Sequence, residues 1–318
     1  MRKFVILFIA VSIVASCAVN KTSRSFDPLP SWNDGENKSR IISFVLNASD
    51  PQSHDYIPPQ DRIATFDFDG TIFCEKPTYA NFQVCIDHYR HAVQRDSALR
   101  TVQPYKAAVE NDENYMNHHL VTFLTTDYLG KSQEEYISSV SAFMDTTIHA
   151  ELRIPYKYLY YIPMVELIEY LLIQDFQVYI TSGSMTGFLR GALKDRLPFE
   201  PSNIIGSRIE LKYSYDDSVT SFIRQENIIH NNNANGKAEG IYTHIGKPPV
   251  FAAGNSMGDY EMLRFTDSPK HQTIALVINH DDAQEEYEYT YQDLLDLCRK
   301  NNWLIISMKE DFKHIFIE

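Results

Sequence analysis

Residues 61–71 read DRIATFDFDGT, a short apolar strand that ends in two aspartates and a glycine. Alternate side chains of a strand point the same way, so Asp67 and Asp69 can converge on one cation at the carboxyl end of a sheet. One carboxylate can attack phosphorus to give an aspartyl-phosphate, and the other can protonate the leaving alkoxide and later activate water. An EF-hand calcium loop does not fit, because its glycine would fall on Ile72 and its bidentate acid on Thr78. A non-functional Asp-rich turn is the remaining alternative.

The first residues have the features of a secretory signal. Basic residues at 2–3 precede an apolar run over 4–14, which is too short for a spanning helix of roughly 20 residues. Residues 14–17 read VASC and resemble a bacterial lipobox, in which Cys17 would be acylated. We predict a signal peptide over 1–16 and lipid anchoring to a membrane of the bacterial cell envelope, facing the periplasm or the cell exterior. An ordinary signal peptide cut nearby is the alternative.

Composition and charge limit the function classes. The formal net charge of −13 argues against nucleic-acid binding, which depends on Lys and Arg to neutralise phosphates. Beyond the lipobox the cysteines are Cys74, Cys85 and Cys298, and their spacing matches no metal site. Cys74 and Cys85 could form a disulfide, or each could be a buried free thiol. The expected soluble partner is a small phosphorylated metabolite.

Apolar periodicity divides the chain into a tether, a core and an insertion. Residues 17–36 are rich in Ser, Pro, Asn and Asp, which is typical of a tether. Residues 37–73 and 159–318 alternate between strand-like and helical patterns, which predicts an α/β fold: a Rossmann-like three-layer core with a mainly parallel sheet. Residues 74–158 are polar and helical in character and predict an inserted helical domain. Residues 208–230 predict a β-hairpin.

The same patterns predict individual elements of the core. Strands are expected where short apolar runs end in glycine or polar residues, and helices where apolar residues recur at helical spacing. After the strand before Asp67, the predicted strands are 176–181, 203–207, 249–253, 273–278 and 303–307, and the predicted helices are 38–46, 163–172, 185–197, 259–265 and 283–298.

Two later segments supply groups that could bind phosphate. Residues 178–184 read VYITSGS, a strand that leads into a helix, so Ser182 and Gly183 could hold phosphate oxygens at the helix start. A plain turn with a serine cap explains the same pattern. Lys237, in the stretch NGKAEGI, could neutralise a phosphoaspartate as a fixed cation. The asparagine-rich residues 231–236 before it predict a turn.

A last glycine loop supplies candidate metal ligands. Residues 250–259 read VFAAGNSMGD, another apolar strand, followed by Asn255 and Asp259. Mg²⁺ prefers six oxygen ligands and keeps several waters, so two carboxylates, one main-chain carbonyl and a phosphate oxygen suffice. We therefore predict a Mg²⁺ site formed by Asp67, Asp69, Asp259 and Asn255.

These four segments, in this order, resemble the motifs of the haloacid dehalogenase superfamily of aspartyl-phosphate phosphatases. The resemblance runs from about Asp61 to Ser307, and the insertion takes the position of the helical cap in phosphoserine phosphatase-like members. The stretch LPSWNDG over 29–35 also resembles a secreted or lipid-anchored branch. The resemblance implies Asp67 as nucleophile, Asp69 as acid/base and, through its main-chain carbonyl, metal ligand, Ser182 and Lys237 as phosphate binders, and Asp259 as metal ligand. Gly70, Thr71 and Gly183 are assigned to the same phosphate site.

The chain departs from the family pattern at two positions. Asn255 stands where many relatives carry Asp, which removes one negative charge, although its amide oxygen can still bind a metal. Phosphoserine phosphatases carry a glutamate nine residues after the nucleophile, where this chain has Lys76, with Glu75 one place early. We assign Glu75 and Lys76 to substrate binding, and phosphoserine is one candidate substrate among several.

The residues and the resemblance together predict a Mg²⁺-dependent phosphomonoester hydrolase. A phosphomutase or another phosphotransferase of the superfamily would use the same chemistry with a different acceptor. A non-catalytic lipoprotein that binds phosphorylated ligands is the alternative outside enzymes. The histidines at 88 and 91, and at 118 and 119, lack suitably spaced partners for zinc and are expected to be structural or exposed.

Overall fold

The computed structural model describes residues 27–267 and 270–316. The predicted signal peptide and the predicted lipidation site at Cys17 lie outside these residues, so both stay predictions. Within the described residues, no helix is long and apolar enough to cross a membrane.

In the described part of the chain, seven strands form one sheet. They are β1 (Ile63–Phe66), β2 (Gln177–Met185), β3 (Ile204–Asp216), β4 (Val219–His230), β5 (Phe251–Gly254), β6 (Ile274–Asn279) and β7 (Leu304–Ser307). Their order across the sheet is β4-β3-β2-β1-β5-β6-β7, and only the β3–β4 pair is antiparallel. The strand β1 therefore lies at the centre, where all four of its residues are buried.

Helices cover both faces of the sheet. The described helices are α1 (Glu36–Ser49), α2 (Ala80–Arg95), α3 (Tyr105–Glu110), α4 (Glu113–His118), α5 (Leu120–Thr126), α6 (Gln133–Thr146), α7 (Ile162–Ile173), α8 (Thr186–Leu193), α9 (Asn235–Ile245), α10 (Tyr260–Thr266), α11 (Gln292–Asn301) and α12 (Met308–Asp311). The apolar faces of α1, α7 and α8 pack on one side of the sheet, and those of α9, α10 and α11 pack on the other. The predicted α/β three-layer core is confirmed.

The inserted segment contains a small hydrophobic core of its own. Side chains of α2, α3, α4 and α5, including Cys85, Tyr89 and Phe123, pack together there. The last helix of the insertion, α6, instead packs on α8 and belongs to the main core. A Cβ atom on Gly191 of α8 would lie 2.6 Å from the main-chain oxygen of Ile137, so glycine permits this close approach.

Within residues 27–36, the side chains of Leu29 and Trp32 are packed on the core, so this part of the predicted tether over 17–36 is not a free linker. The side chains of Leu29 and Trp32 are fully buried. The Trp32 indole donates a hydrogen bond to the main-chain oxygen of Pro163 at 2.8 Å and meets the Phe312 ring edge-on. Polar composition predicted a linker, but burying two large apolar side chains outweighs that local tendency.

Three elements differ from the sequence-based expectations. The hairpin predicted over 208–230 is present, but its strands β3 and β4 are long and form one edge of the sheet. The helix predicted over 283–298 is found at Gln292–Asn301, and the Asp282 carboxylate accepts main-chain hydrogen bonds in a turn before it. Helix α9 was not predicted, since only a turn was expected over 231–236. Its two glycines lower helix propensity, yet burial of Ile241 supports the helix.

Candidate active site

The two aspartates that follow β1 lie together at the carboxyl edge of the sheet. Asp67 extends the strand, since its main-chain N–H donates to Ala253 on β5 at 2.9 Å. Phe68 points the opposite way and stacks on Phe73 in the core. This alternation turns both Asp67 and Asp69 towards one cavity, as the sequence pattern predicted.

Lys237 lies between Asp67 and Asp259. Its Nζ is 2.6 Å from the Asp67 carboxylate and 2.5 Å from that of Asp259, and all three side chains are buried. Burial alone would lower the pKa of Lys237, but the two carboxylates reverse the effect and raise it. Lys237 stands in the first turn of α9, where a cation opposes the helix dipole, so these carboxylates provide the compensating charge.

Asp259 is held by the glycine loop that follows β5. Its Oδ2 accepts hydrogen bonds from the main-chain N–H groups of Asn255 and Ser256 at 3.0 and 2.9 Å. A Cβ atom on Gly254 would lie 2.5 Å from the Asp259 Cβ, so glycine is required for this close packing. The position of the carboxylate beside Lys237 is therefore set by the loop.

The two carboxyl oxygens of Asp69 differ in their hydrogen bonds. Its Oδ2 accepts a hydrogen bond from Ser184 Oγ at 2.7 Å, with Ser182 Oγ at 3.5 Å. Among the described residues, the buried Oδ1 has no hydrogen-bond partner. Burial raises the pKa of Asp69 to about 7, although the Ser184 hydrogen bond acts in the opposite direction. A carboxyl group with this pKa can give and take a proton near neutral pH.

The loop that carries Ser182 and Gly183 is held by two residues that the sequence analysis missed. The Asn232 carboxamide donates to the main-chain oxygens of Ser182 and Ile205 at 3.0 and 3.2 Å. Ser207 Oγ donates to the main-chain oxygen of Gly183 at 2.7 Å. The run of asparagines before Lys237 was the available signal, but it was interpreted only as a turn. Strand β2 continues through this loop, so α8 starts after it rather than at Met185.

Glu75 reaches the cavity, and Lys76 does not. Glu75 is buried in the cavity wall, where Asn255 Nδ2 donates to its Oε1 at 3.3 Å. Lys76 Nζ lies 3.6 Å from the same oxygen and 4.5 Å from the centre of the Tyr289 ring. Lys76 therefore balances the charge of Glu75 from outside the cavity lining, instead of meeting the substrate directly as the sequence suggested.

Gly70 and Thr71 support the loop without lining the cavity. Gly70 has a φ of +72°, and a Cβ atom there would overlap Asn255 Nδ2 at 1.9 Å. Glycine is thus required both by the backbone conformation and by the close approach of the two loops. Thr71 is fully buried, with its Oγ1 3.5 Å from Asn255 Oδ1. Their observed contacts are with the neighbouring loop and not with the cavity.

A buried network of hydrogen bonds lies behind the loop that carries Gly70, and the sequence did not predict it. His280 Nε2 donates to the main-chain oxygen of Gly70 at 2.8 Å, and its Nδ1 lies 3.1 Å from the Glu286 carboxylate. Tyr161 also donates to Glu286 at 2.9 Å. Burial by itself would raise the pKa of Glu286. The hydrogen bond with His280 is the largest of several opposing effects, and together they lower the pKa. No local pattern connects His280 with a glycine 210 positions earlier.

The cavity in front of these groups has a volume of about 410 Å³. Its floor contains Asp67, Asp69 and Lys237, and its sides include Glu75 and the loop 182–184. Helices α2 and α5 of the insertion close the opposite side through Phe82, Leu120, Val121 and Leu124. The core and the inserted segment therefore form the cavity jointly.

The donor set of the floor fits a divalent cation. Asp67, Asp69 and Asp259 carry more negative charge than Lys237 can balance. Burial and the charge of Asp259 raise the pKa of Asp67, despite the opposing effect of Lys237. A cation bound here would relieve that repulsion. Among the described residues, no group of three His, Cys, Asp or Glu side chains is arranged to hold a metal by itself, so an ion here would also need main-chain or phosphate oxygens.

The described cysteines and histidines form no second site. Cys74, Cys85 and Cys298 are buried free thiols, so the disulfide considered for the first two is absent. His88 is paired with the Asp127 carboxylate at 3.0 Å inside the cap.

Comparisons with known proteins give a family match and similar folds. The family model described as haloacid dehalogenase-like hydrolase matches residues 64–264, which is more than half of the chain. A conserved protein of unknown function from Anaerococcus prevotii DSM 20548 is similar in structure, with a TM-score of 0.56, 14% identity and coverage of 88% of this chain and 94% of that one. A protein of unknown function from Bordetella pertussis Tohama I has a TM-score of 0.51, 14% identity and coverage of 77% and 97%, respectively. None of the curated proteins matches the chain.

Proposed function

We propose that this chain, which belongs to the haloacid dehalogenase-like hydrolase family, is a phosphatase that hydrolyses phosphomonoesters through an aspartyl-phosphate on Asp67. The observation that carries the proposal is the contact of Lys237 with Asp67 at 2.6 Å, on the floor of a cavity that Asp69 also lines. A nucleophile, a fixed cation and an acid/base with a pKa of about 7 are the parts that phosphoryl transfer requires.

The proposed reaction has two displacement steps. An Asp67 oxygen attacks phosphorus and the ester P–O bond breaks, while Asp69 donates its proton to the departing alkoxide. A water then attacks the phosphorus and gives a proton to Asp69, and the bond between phosphorus and Asp67 breaks to release phosphate. Lys237 balances the charge beside Asp67 throughout, and the hydroxyls of Ser182 and Ser184 can donate to phosphate oxygens.

Members of this family generally use Mg²⁺. In this chain we propose that Asp67, Asp259 and the main-chain carbonyl of Asp69 hold it, with Asn255 as a further candidate. When bound, the ion would neutralise part of the charge on the phosphoryl oxygens. We also propose that a lipid on Cys17 attaches the protein to a membrane of the cell envelope.

The direct test is a panel of phosphate esters. We expect the purified protein, supplied with Mg²⁺, to release inorganic phosphate from at least some phosphomonoesters and to leave haloacids unchanged. Transfer of the phosphoryl group to an added sugar instead of water would indicate a phosphotransferase. Tight binding of phosphorylated ligands without turnover would support the non-catalytic alternative.

The acid/base role of Asp69 has its own expected result. Asp69→Asn should lower the rate of the first step by about 10²- to 10⁴-fold for an alkyl phosphate, whose leaving group needs a proton. The loss should be smaller for 4-nitrophenyl phosphate, because its leaving group departs as a stable anion. Single-turnover measurements on both esters distinguish the cases, and an equal loss would show that Asp69 does not protonate the leaving group.

A further inference from the structure

Beyond the floor, the lining of the cavity contains six apolar side chains together with uncharged polar ones, among them Tyr79, Asn81, Asn231 and Asn233. Side chains from the cap and from the core contribute to it, so that a molecule bound at the floor would extend between them. The apolar lining residues are Phe82, Leu120, Val121 and Leu124 from the cap and Met185 and Ile228 from the core.

Two of these side chains are exposed to solvent although they are apolar. Leu120 is 41% exposed and Val121 is 53% exposed, although both line a concave surface. The neighbouring Phe123 on the same helix is fully buried in the cap core. Helix α5 therefore presents a second apolar face to the cavity, and an apolar group bound there would cover that face.

The charged side chains that line the cavity are Asp67, Asp69 and Lys237 at its floor and Glu75 in its side wall. Lys237 is the only basic residue among the described residues that line it, and its ammonium is already paired with Asp67 and Asp259. The Glu75 carboxylate already accepts from Asn255. A carboxylate on the leaving group would thus be buried without a cation to pair with, which is strongly unfavourable.

We propose that the leaving group of the substrate is uncharged and apolar, an alkyl or aryl group that packs against the wall formed by Phe82, Leu120 and Val121. The inference rests on the phosphatase function proposed above, because that function places the phosphate at the floor and directs the ester group towards the wall. The volume of about 410 Å³ leaves room for a phosphate and a group of several carbons.

A series of n-alkylphosphonates tests the wall without requiring turnover. Affinity should be measured by calorimetry, and we expect it to increase about fourfold per added methylene from ethyl- to butyl- to hexylphosphonate, the factor typical of a buried CH₂ group. In parallel, kcat/KM for the matching alkyl phosphates should rise along the series. Their leaving groups have nearly the same basicity, so the trend reports packing rather than intrinsic reactivity.

Two cap valines provide a matched pair of variants. Val121→Asn should flatten the dependence of affinity on chain length, whereas Val102→Asn should match the wild type, because Val102 is 49% exposed on the cap but does not line the cavity. If Val121→Asn does not fold, Leu120→Gln serves the same purpose. Affinity that does not rise with chain length in the wild type, or that is higher for phosphonates bearing a carboxylate or an ammonium, would overturn the inference. Rising affinity without hydrolysis of any ester would support the apolar site and refute the phosphatase function.

Discussion

Asp67→Asn is expected to lower the turnover of phosphate esters by about 10⁴-fold or more, since it removes the proposed nucleophile and leaves only binding and electrostatic contributions. Its stability should not fall. Burial, followed by the charge of Asp259, raises the pKa of Asp67, so the ionised form of the carboxyl destabilises the fold at neutral pH. A neutral amide of the same shape removes that cost while Lys237 keeps its contact with Asp259.

Asp61→Asn is the matched control for this variant. Asp61 lies just before the same strand, where Lys247 pairs with it at 2.8 Å, and it does not line the cavity. Steady-state hydrolysis of an aryl phosphate and thermal unfolding should be measured on both variants. Turnover of folded Asp67→Asn within tenfold of the wild type would eliminate Asp67 as the nucleophile.

Removal of Mg²⁺ is expected to have the second large effect and to lower the turnover of phosphate esters by about 10³-fold or more, because a bound divalent cation contributes several kcal/mol of charge stabilisation. Adding the ion back should restore the turnover. The ion should also raise the unfolding temperature of the substrate-free protein. The physical reason is that Asp67, Asp69 and Asp259 repel one another in a buried site where Lys237 supplies only one positive charge.

Asp259→Asn tests which carboxylate holds the ion. The variant should need a higher Mg²⁺ concentration for both the activity and the thermal shift, whereas Asp61→Asn should respond like the wild type. Full activity after exhaustive chelation would remove the metal from the mechanism. An unchanged Mg²⁺ dependence in folded Asp259→Asn would assign the ligand to another residue.

The core of the site could be predicted because its signals are local. The stretch around Asp67 combines an apolar strand with alternating acids, and the pleat of a strand turns alternate side chains to one side whatever the rest of the fold does. Lys237 and Asp259 were likewise identified from short stretches of sequence. The structure brings the carboxylates of Asp67 and Asp259 to within 2.6 Å of Lys237 because parallel strands and their connections meet at one edge of the sheet.

Other features depended on contacts that no local pattern encodes. Helix α9 has weak propensity and depends on its packing, and the predicted tether contains Trp32, which is buried against Phe312 from the far end of the chain. Asn232 and His280 hold the two active-site loops through hydrogen bonds to main-chain oxygens. Any chain segment offers such oxygens, so only the folded arrangement reveals which of them are used.

By itself, the sequence determined the fold class, the position of Asp67 at a strand end and the chemical character of the site, since these follow from periodicity and residue type. The tertiary structure decided that Glu75 reaches the cavity while Lys76 does not, and that Phe82, Leu120 and Val121 form one apolar wall. The physical reason is that packing between distant segments sets the direction and burial of each side chain. Many segments contribute to the free energy of that packing, so no local stretch of sequence determines it.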